Sequence, residues 1–421
     1  MIKIRSGKQL RGRIVLPASK SISNRALILN ALSKSTSLPN NLSDSDDTKV
    51  MLRALQDMPE FIDIGAAGTA MRFLTAYLSI MPGEHTISGT ERMKHRPIGI
   101  LVDALRQLGA TITYEGEEGF PPLHIVGHDN LEGGSLTVPG DVSSQYISAL
   151  LMIAPTLRKG LHLTLEGNIA SRPYLDMTIS MMRDFGAKVE WKGDNVIEVQ
   201  PGSYLQRPYH IESDWSAASY WYEMVALTPD TNAEVELIGL HRDSLQGDSR
   251  VWQLFEELGV QTRYYVDADG QEVIQLKKGG GITCHFSCDF THQPDLAQTF
   301  AVTCSMLDVP FHLYGLQSLR IKETDRIAAL RNELSEIVRL EEQDNELLWE
   351  GFYEIEDLDM LPYETFEFDT YDDHRMAMSL APICLRTQGE IQINNPEVVS
   401  KSYPSFWDDL SKVGFTICQR K

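Results

Sequence analysis

The sequence predicts an α/β protein of two domains, each assembled from about three small α/β units. Three observations carry that expectation. The chain has 421 residues, room for two or three domains of ordinary size. A segment recurs along it with apolar residues at i, i+3 and i+4, then a glycine, then a β-branched run. No long flexible stretch separates the copies, so a crossing between domains is made by few residues, and such hinges often sit beside a cleft.

The copies are Leu101–Tyr114 (LVDALRQLGATITY), Met177–Trp191 (MTISMMRDFGAKVEW), Val251–Tyr264 (VWQLFEELGVQTRY) and Phe406–Cys418 (FWDDLSKVGFTIC). Each reads as an amphipathic helix, a glycine cap and a strand. Gly109, Gly186, Gly259 and Gly414 are 77, 73 and 155 residues apart, and the last interval is about two steps. A copy without the glycine starts at Ile327 (IAALRNELSEIVRLEE), and another is Thr48–Ile64 (TKVMLRALQDMPEFIDI). Six units of about 70 residues are too long for the common solenoid repeats.

Composition bounds the function. Apolar residues are 42% and charged residues 23%, an ordinary globular mixture. No apolar run approaches the roughly 18 residues of a spanning helix, and the N-terminal MIKIRSGKQLRGRIVL carries no secretory h-region. Neither a membrane nor a secretory route is expected. The five cysteines (Cys284, Cys288, Cys304, Cys384, Cys418) are scattered, which suits a reducing cytoplasm without a disulfide framework. A net charge of −21 speaks against nucleic acid. That charge is uneven: Glu333–Asp373 holds sixteen acids and one base, Arg339. The run reads as a solvated face, which leaves an anionic substrate open elsewhere.

Short polar and basic clusters repeatedly stand just ahead of apolar runs. Leu16–Leu32 (LPASKSISNRALILNAL) brings Lys20 and Arg25 to a helix start. Asp63–Leu78 (DIGAAGTAMRFLTAYL) places Gly65, Gly68 and Thr69 before Arg72, and it is neither GxGxxG nor GxxxxGK[ST]. MKHRPIG, GDVSSQYISALL, SRPYLD, QPDLA, LRIKETDRI, TYDDHRMAM and SKSYP follow. Taken singly, each reads either as a helix cap with solvated charges or as an anion site. If the helix N-termini converge, their partial positive charges and the added Lys and Arg favour small phosphates or carboxylates. No Cys/His spacing fits zinc, and no metal or other cofactor is expected.

In order, these motifs resemble the 5-enolpyruvylshikimate-3-phosphate synthase family from about residue 8 to residue 415, with KETDR and DHRMAM the most specific. The resemblance implies a two-domain inside-out α/β barrel, each domain of three βαβαββ units. It implies one domain at residues 20–212 and a second at 1–19 and 213–421, with the active site between them. It implies transfer of the enolpyruvyl group of phosphoenolpyruvate to the 5-hydroxyl of shikimate 3-phosphate by addition and elimination, by a monomer. By the same resemblance Lys20, Ser21, Arg25, Ser143, Ser144, Gln145, Ser171, Asp295, Ser318 and Lys322 contact shikimate 3-phosphate. Lys20, Gly68, Arg96, Gln145, Arg326, Arg375 and Lys401 hold phosphoenolpyruvate. Asp295 is the base for the 5-hydroxyl, Glu323 the proton donor to the methylene carbon, and Lys20 and His374 share the proton traffic.

The chain departs from the family pattern at Ala66 and Ser318, where asparagine is usual, at Phe73, where proline is usual, and at Asp372, where asparagine is common. The first and third of these bear on the response to glyphosate, the family's inhibitor. The sister enzyme acting on UDP-N-acetylglucosamine normally carries a cysteine in its first domain, and this chain has none before Cys284.

Overall fold

The computed structural model describes residues 1–7, 9–351, 366–387 and 389–419. Residue 8, where the resemblance begins, and residues 352–365 of the acidic run lie outside the described residues. The chain divides into two units. Ala18–Ile211 forms the continuous unit, and Met1–Pro17 with Glu212–Lys421 forms the terminal unit.

One motif is built five times among the described residues. Each copy is a four-stranded sheet in which the first strand runs parallel to the second, the second antiparallel to the fourth, and the fourth antiparallel to the third. In the continuous unit the sheets are Phe61–Asp63, Gly83–Ser88, Thr111–Tyr114 and Leu123–Gly127, then Gly134–Pro139, Leu161–Glu166, Val189–Trp191 and Val196–Val199. In the terminal unit the first is Arg11–Val15, Glu234–Ile238, Leu258–Val266 and Glu272–Ile282. The second is Phe286–Asp289, Phe311–Tyr314, Glu341–Gln343 and Glu346–Trp349. The third is Phe366–Phe368, Ile391–Ile393 and Thr416–Gln419, with Ile2–Arg5 supplied from the chain's start. The remaining copy has the helices Lys20–Leu32 and Asp46–Asp57 and a single parallel bridge, Asn40 to His210. The segment Thr48–Ile64 is therefore not one unit: its strand Phe61–Asp63 opens the next sheet.

Each parallel pair of strands is joined by a helix, and these helices are buried on nearly every side. Gly68–Ile80, Trp215–Leu227, Ala297–Met306 and His374–Leu380 are buried at every residue. Such a helix has no polar face, hence no helical stripe in its sequence. Its hydroxyls are satisfied within the helix: Thr75 donates to Met71 O, Ser79 to Thr75 O and Thr303 to Thr299 O. The second helix of each copy is half-exposed and carries the recurrent pattern. Gly99–Gln107 and Arg172–Asp184 end in paired closing bonds, Gly109 N to Arg106 O with Ala110 N to Leu105 O, and Gly186 N to Arg183 O with Ala187 N to Met182 O. Both glycines have positive φ, as that closure requires. Gly414 repeats the arrangement, but Gly259 does not. Its helix stops at Glu256, and Gly259 sits at an irregularity in the strand Leu258–Val266.

The two cores are separate. Leu27, Met71, Leu74, Leu150, Met181 and Phe185 centre the continuous unit. Trp215, Trp221, Phe255, Phe300, Leu313 and Tyr403 centre the terminal unit. One carboxyl lies in the second core. Glu223 is fully buried with neither oxygen hydrogen-bonded, and burial raises its pKa well above the usual carboxylate range.

The folded chain thus keeps a proton on Glu223 that the unfolded chain releases above about pH 4.3. Above that pH the native state binds more protons than the unfolded one, so this group makes stability fall as pH rises. Glu223→Gln removes the titration. In thermal melts from pH 5 upward, the melting temperature of the variant relative to wild type is expected to climb for as long as the folded chain keeps the proton. A constant difference would show that Glu223 is ionised in the folded chain.

Candidate active site

A fully buried helix keeps its ionised side chains near its ends, and in both units charged and polar residues gather at helix N-termini. In the continuous unit Ser19 caps the helix Lys20–Leu32, its Oγ accepting from Ile22 N at 3.5 Å. Lys20 Nζ lies 3.7 Å from Asp47 Oδ2, and Asp47 is buried. Ser21 carbonyl accepts from Arg25 Nη1 at 3.0 Å, and Ser148 Oγ accepts from Arg25 Nη2 at 3.1 Å. Ser143 caps the helix Ser144–Ile153, its Oγ accepting from Gln145 N at 3.4 Å. Gln145 Nε2 donates to Thr69 Oγ1 at 3.1 Å, which joins that N-terminus to the start of Gly68–Ile80.

Gly68 backs onto Arg96: a Cβ there would stand 2.7 Å from Arg96 Nη1. Arg96 is nine-tenths buried, so even a methyl group would displace its guanidinium. Arg72 fixes the same corner, donating to Gly68 O at 3.0 Å and Pro97 O at 3.1 Å, with its guanidinium over the Tyr146 ring. Ser171 stands at the start of Arg172–Asp184 with a left-handed backbone. Ala66 is exposed beside this corner.

The terminal unit places a denser cluster. Asp295 lies in a turn leading into Ala297–Met306. Its Oδ1 is 3.0 Å from Arg326 Nη1 and 3.7 Å from Lys322 Nζ, and its Oδ2 is 3.0 Å from Arg375 Nη2. Arg326 begins its own helix, almost completely buried, and is shared by three acids. Asp373 grips it at Nε (2.6 Å) and Nη2 (3.3 Å), and Glu323 Oε2 reaches Nη2 at 3.2 Å. Lys401 Nζ closes on Glu323 Oε1 at 2.8 Å. Asp373 also caps His374–Leu380 by accepting from Arg375 N, and it lies 3.6 Å from His374 Nδ1. Arg375 Nη1 contacts the buried Tyr220 hydroxyl at 3.4 Å. Ser318, in the turn Gln317–Ile321, is half-buried.

Burial would raise the Asp295 pKa, but Arg375, Lys322 and Arg326 outweigh it and hold the carboxyl well below its usual range. Burial lowers Lys322 despite Asp295. Burial would lower Arg326 too, and Asp373, Glu323 and Asp295 more than reverse it. Four cations (Lys322, Arg326, Arg375, Lys401) face three carboxylates (Asp295, Glu323, Asp373) here. In the continuous unit Lys20, Arg25, Arg72 and Arg96 are all largely withdrawn from solvent. Both clusters carry surplus positive charge suited to small polyanions. No group of three or more His, Cys, Asp or Glu side chains among the described residues is arranged to hold a metal ion.

Of the residues expected from the sequence, Lys20, Ser21, Arg25, Gly68, Arg96, Ser143, Ser144, Gln145 and Ser171 lie in the continuous unit. Asp295, Ser318, Lys322, Glu323, Arg326, His374, Arg375 and Lys401 are in the terminal unit. Four further residues take part. Asp373 has a signal, an acid directly ahead of a helix. Asp47 is hidden in an acidic run. Tyr220 and Asp248 have none. The Asp248 carboxyl is buried, accepts from Ser216 Oγ, and is pushed up to about 7 by burial and then by the Asp295 charge.

Repeated βαβαββ units around buried helices, with basic clusters at the helix starts, define an enolpyruvyl-transferase fold. Solved structures share it: an EPSP synthase from Acinetobacter baumannii (TM-score 0.76, 22% identity, 99% of each chain) and the enolpyruvyl transferase NikO from Streptomyces tendae (TM-score 0.72, 16% identity, 99% of this chain and 98% of that one). The sequence profile of EPSP synthase (3-phosphoshikimate 1-carboxyvinyltransferase) matches residues 4–62 and 56–410. A 3-phosphoshikimate 1-carboxyvinyltransferase of Bacteroides fragilis is 55% identical over 412 residues, 97% of each chain. One from Shewanella pealeana is 34% identical, over 96% of this chain and 97% of its own. The chain belongs to the EPSP synthase family.

Asp373 holds Arg326 and caps a helix at once, so its loss strands a buried cation. Asp373→Ala is expected to cost about 3–5 kcal/mol of stability in urea unfolding of the terminal unit. Asp373→Asn, which keeps the capping oxygen, should cost less. Equal losses would mean that the cap contributes nothing.

Proposed function

We propose that this chain transfers the enolpyruvyl group of phosphoenolpyruvate to the 5-hydroxyl of shikimate 3-phosphate, releasing phosphate, in the route to chorismate and the aromatic amino acids. The observation that carries the reading is the surplus of withdrawn cations at helix N-termini in a member of the EPSP synthase family. Both substrates are polyanions, and arginine pairs with carboxylate and phosphate at two points while lysine supplies a point charge. The continuous unit supplies Lys20, Ser21, Arg25, Ser143, Ser144, Gln145 and Ser171 to shikimate 3-phosphate. Gly68 and Arg96 serve phosphoenolpyruvate, as do Arg326, Arg375 and Lys401 of the terminal unit. The enzyme works in the cytoplasm as a single chain, in keeping with five free cysteines.

In the addition step the 5-oxygen bonds to C2 of phosphoenolpyruvate, its proton passes to Asp295, and C3 gains a proton from Glu323. In the elimination step C3 returns a proton to the Glu323 carboxylate, the C2=C3 double bond re-forms, and the C2–O bond to phosphate breaks with its electron pair leaving on the phosphate. Asp295 is a weak base while Arg375, Lys322 and Arg326 surround it. An incoming carboxylate and phosphate compete for those same cations. As they take up Arg375 and Arg326, the carboxylate loses the charges that hold it ionised, and its affinity for a proton rises. The base is therefore strengthened by the substrate it serves. The same exchange takes up Lys401 and Arg326, the cations that Glu323 holds.

The direct test mixes purified protein, EDTA and phosphoenolpyruvate with either shikimate 3-phosphate or UDP-N-acetylglucosamine. Phosphate release with the shikimate substrate alone is the expected result, and release with neither would overturn the reading. Asp295→Ala is expected to lower kcat by at least about a hundredfold, while calorimetry still detects shikimate 3-phosphate binding. Turnover at the wild-type rate would remove Asp295 from the base role.

A further inference from the structure

Arg25 is the most deeply buried cation of the continuous unit's cluster, and none of its hydrogen-bond partners is charged. Its Nε donates to Thr178 Oγ1 at 2.7 Å, and its Nη atoms donate to Ser21 O, Ser148 Oγ and Tyr174 O at 3.0, 3.1 and 3.5 Å. Leaving a guanidinium in such surroundings is costly, and burial pulls its pKa down to about 10. Two aromatic rings face it. The guanidinium carbon lies 5.3 Å from the centroid of Phe73 and 5.8 Å from that of Tyr174. Both distances fall within the range in which the negative face of a ring attracts a cation, and the attraction grows when water is excluded.

Phe73 is almost fully buried in the helix Gly68–Ile80. Its neighbour Arg72 is tied to Gly68 O and Pro97 O, which anchors the helix start that presents the ring.

We propose that Phe73 is a positioning residue for Arg25: its ring stands in for the missing counter-ion, holds the guanidinium in place, and so sets the affinity for shikimate 3-phosphate. The inference rests on the reading of Arg25 as a contact of that substrate. An anion that pairs with Arg25 meets a guanidinium already fixed on one side, so less freedom is lost on binding. Phe73, almost fully buried, acts through Arg25. Its effect falls on the binding of shikimate 3-phosphate and leaves kcat and the KM for phosphoenolpyruvate unaltered.

Stepwise fluorination of the ring separates this role from simple packing, because fluorine drains charge from the ring face with little change of shape. Phe73 would be replaced by 4-fluoro-, 3,5-difluoro- and 3,4,5-trifluorophenylalanine, and shikimate 3-phosphate titrated calorimetrically into each full-length protein. The Kd is expected to rise at each step, reaching about three- to tenfold in the trifluoro form, with melting temperature and phosphoenolpyruvate KM unchanged. Arg25→Ala is measured beside them. A flat series together with weakened binding in Arg25→Ala overturns the role of Phe73 and leaves the reading of Arg25 standing. Unchanged binding in Arg25→Ala overturns that reading and the inference with it.

Discussion

A helix enclosed on every side is mostly apolar, with its hydroxyls bonded within it, so its route to ionic chemistry runs through its ends. That constraint organises each unit. The enclosed helices Gly68–Ile80 and Ser144–Ile153 meet through Thr69 and Gln145 at their first residues. Ala297–Met306 and His374–Leu380 meet through Asp295 and Arg375 at theirs. At each junction the free backbone N–H groups and partial positive charge of a helix start add to the side-chain cations. The sheets outside supply the enclosure that withdraws these charges from water, so each ionic contact is stronger than it would be on a surface. Fold and site are the same arrangement seen from the core and from the helix starts.

Within the terminal unit that arrangement turns on Arg326. It is gripped by Asp373 at two points and shared with Asp295 and Glu323, so one buried guanidinium fixes the spacing of three acids. A network of this kind is stiff because removing any member leaves a charge stranded. Its three acids are not equivalent. Asp373 is bound to Arg326 through both oxygens and capped into a helix, which makes it the structural partner. Asp295 and Glu323 are the more exposed partners, and each is also held by a second cation, Arg375 and Lys401 respectively.

The half-exposed helices were legible in the sequence because enclosure on one side only leaves a helical stripe. Three of the four glycines found by that stripe close their helices with the expected bonds. Gly259 does not, because its helix ends early and the strand begins before it. The enclosed helices left no stripe and were located only through the polar clusters ahead of them. The same asymmetry governs the site. Lys20, Ser143, Asp295 and Arg375 were legible because each stands at the junction of a polar cluster and an apolar run. Asp47, Tyr220 and Asp248 were not, because their partners are 27, 155 and 32 residues away in the chain and only packing brings them together.

Charge distribution needed the structure as well. The acidic run Glu333–Asp373 read as a solvated face, yet several of its described members are held by the fold. Glu342 bridges Arg320 and Arg331, Glu346 bonds His312, and Glu333 accepts from Asp369 N and the Tyr371 hydroxyl. Asp373, the last acid of the run, is fully buried against Arg326. A count of acids against bases therefore misjudges the field that a substrate meets. Paired surface acids are largely screened over a Debye length of about 8–10 Å, whereas the cations at the helix starts act across water-poor surroundings. A chain with a net charge of −21 can in this way present positive sites to polyanions.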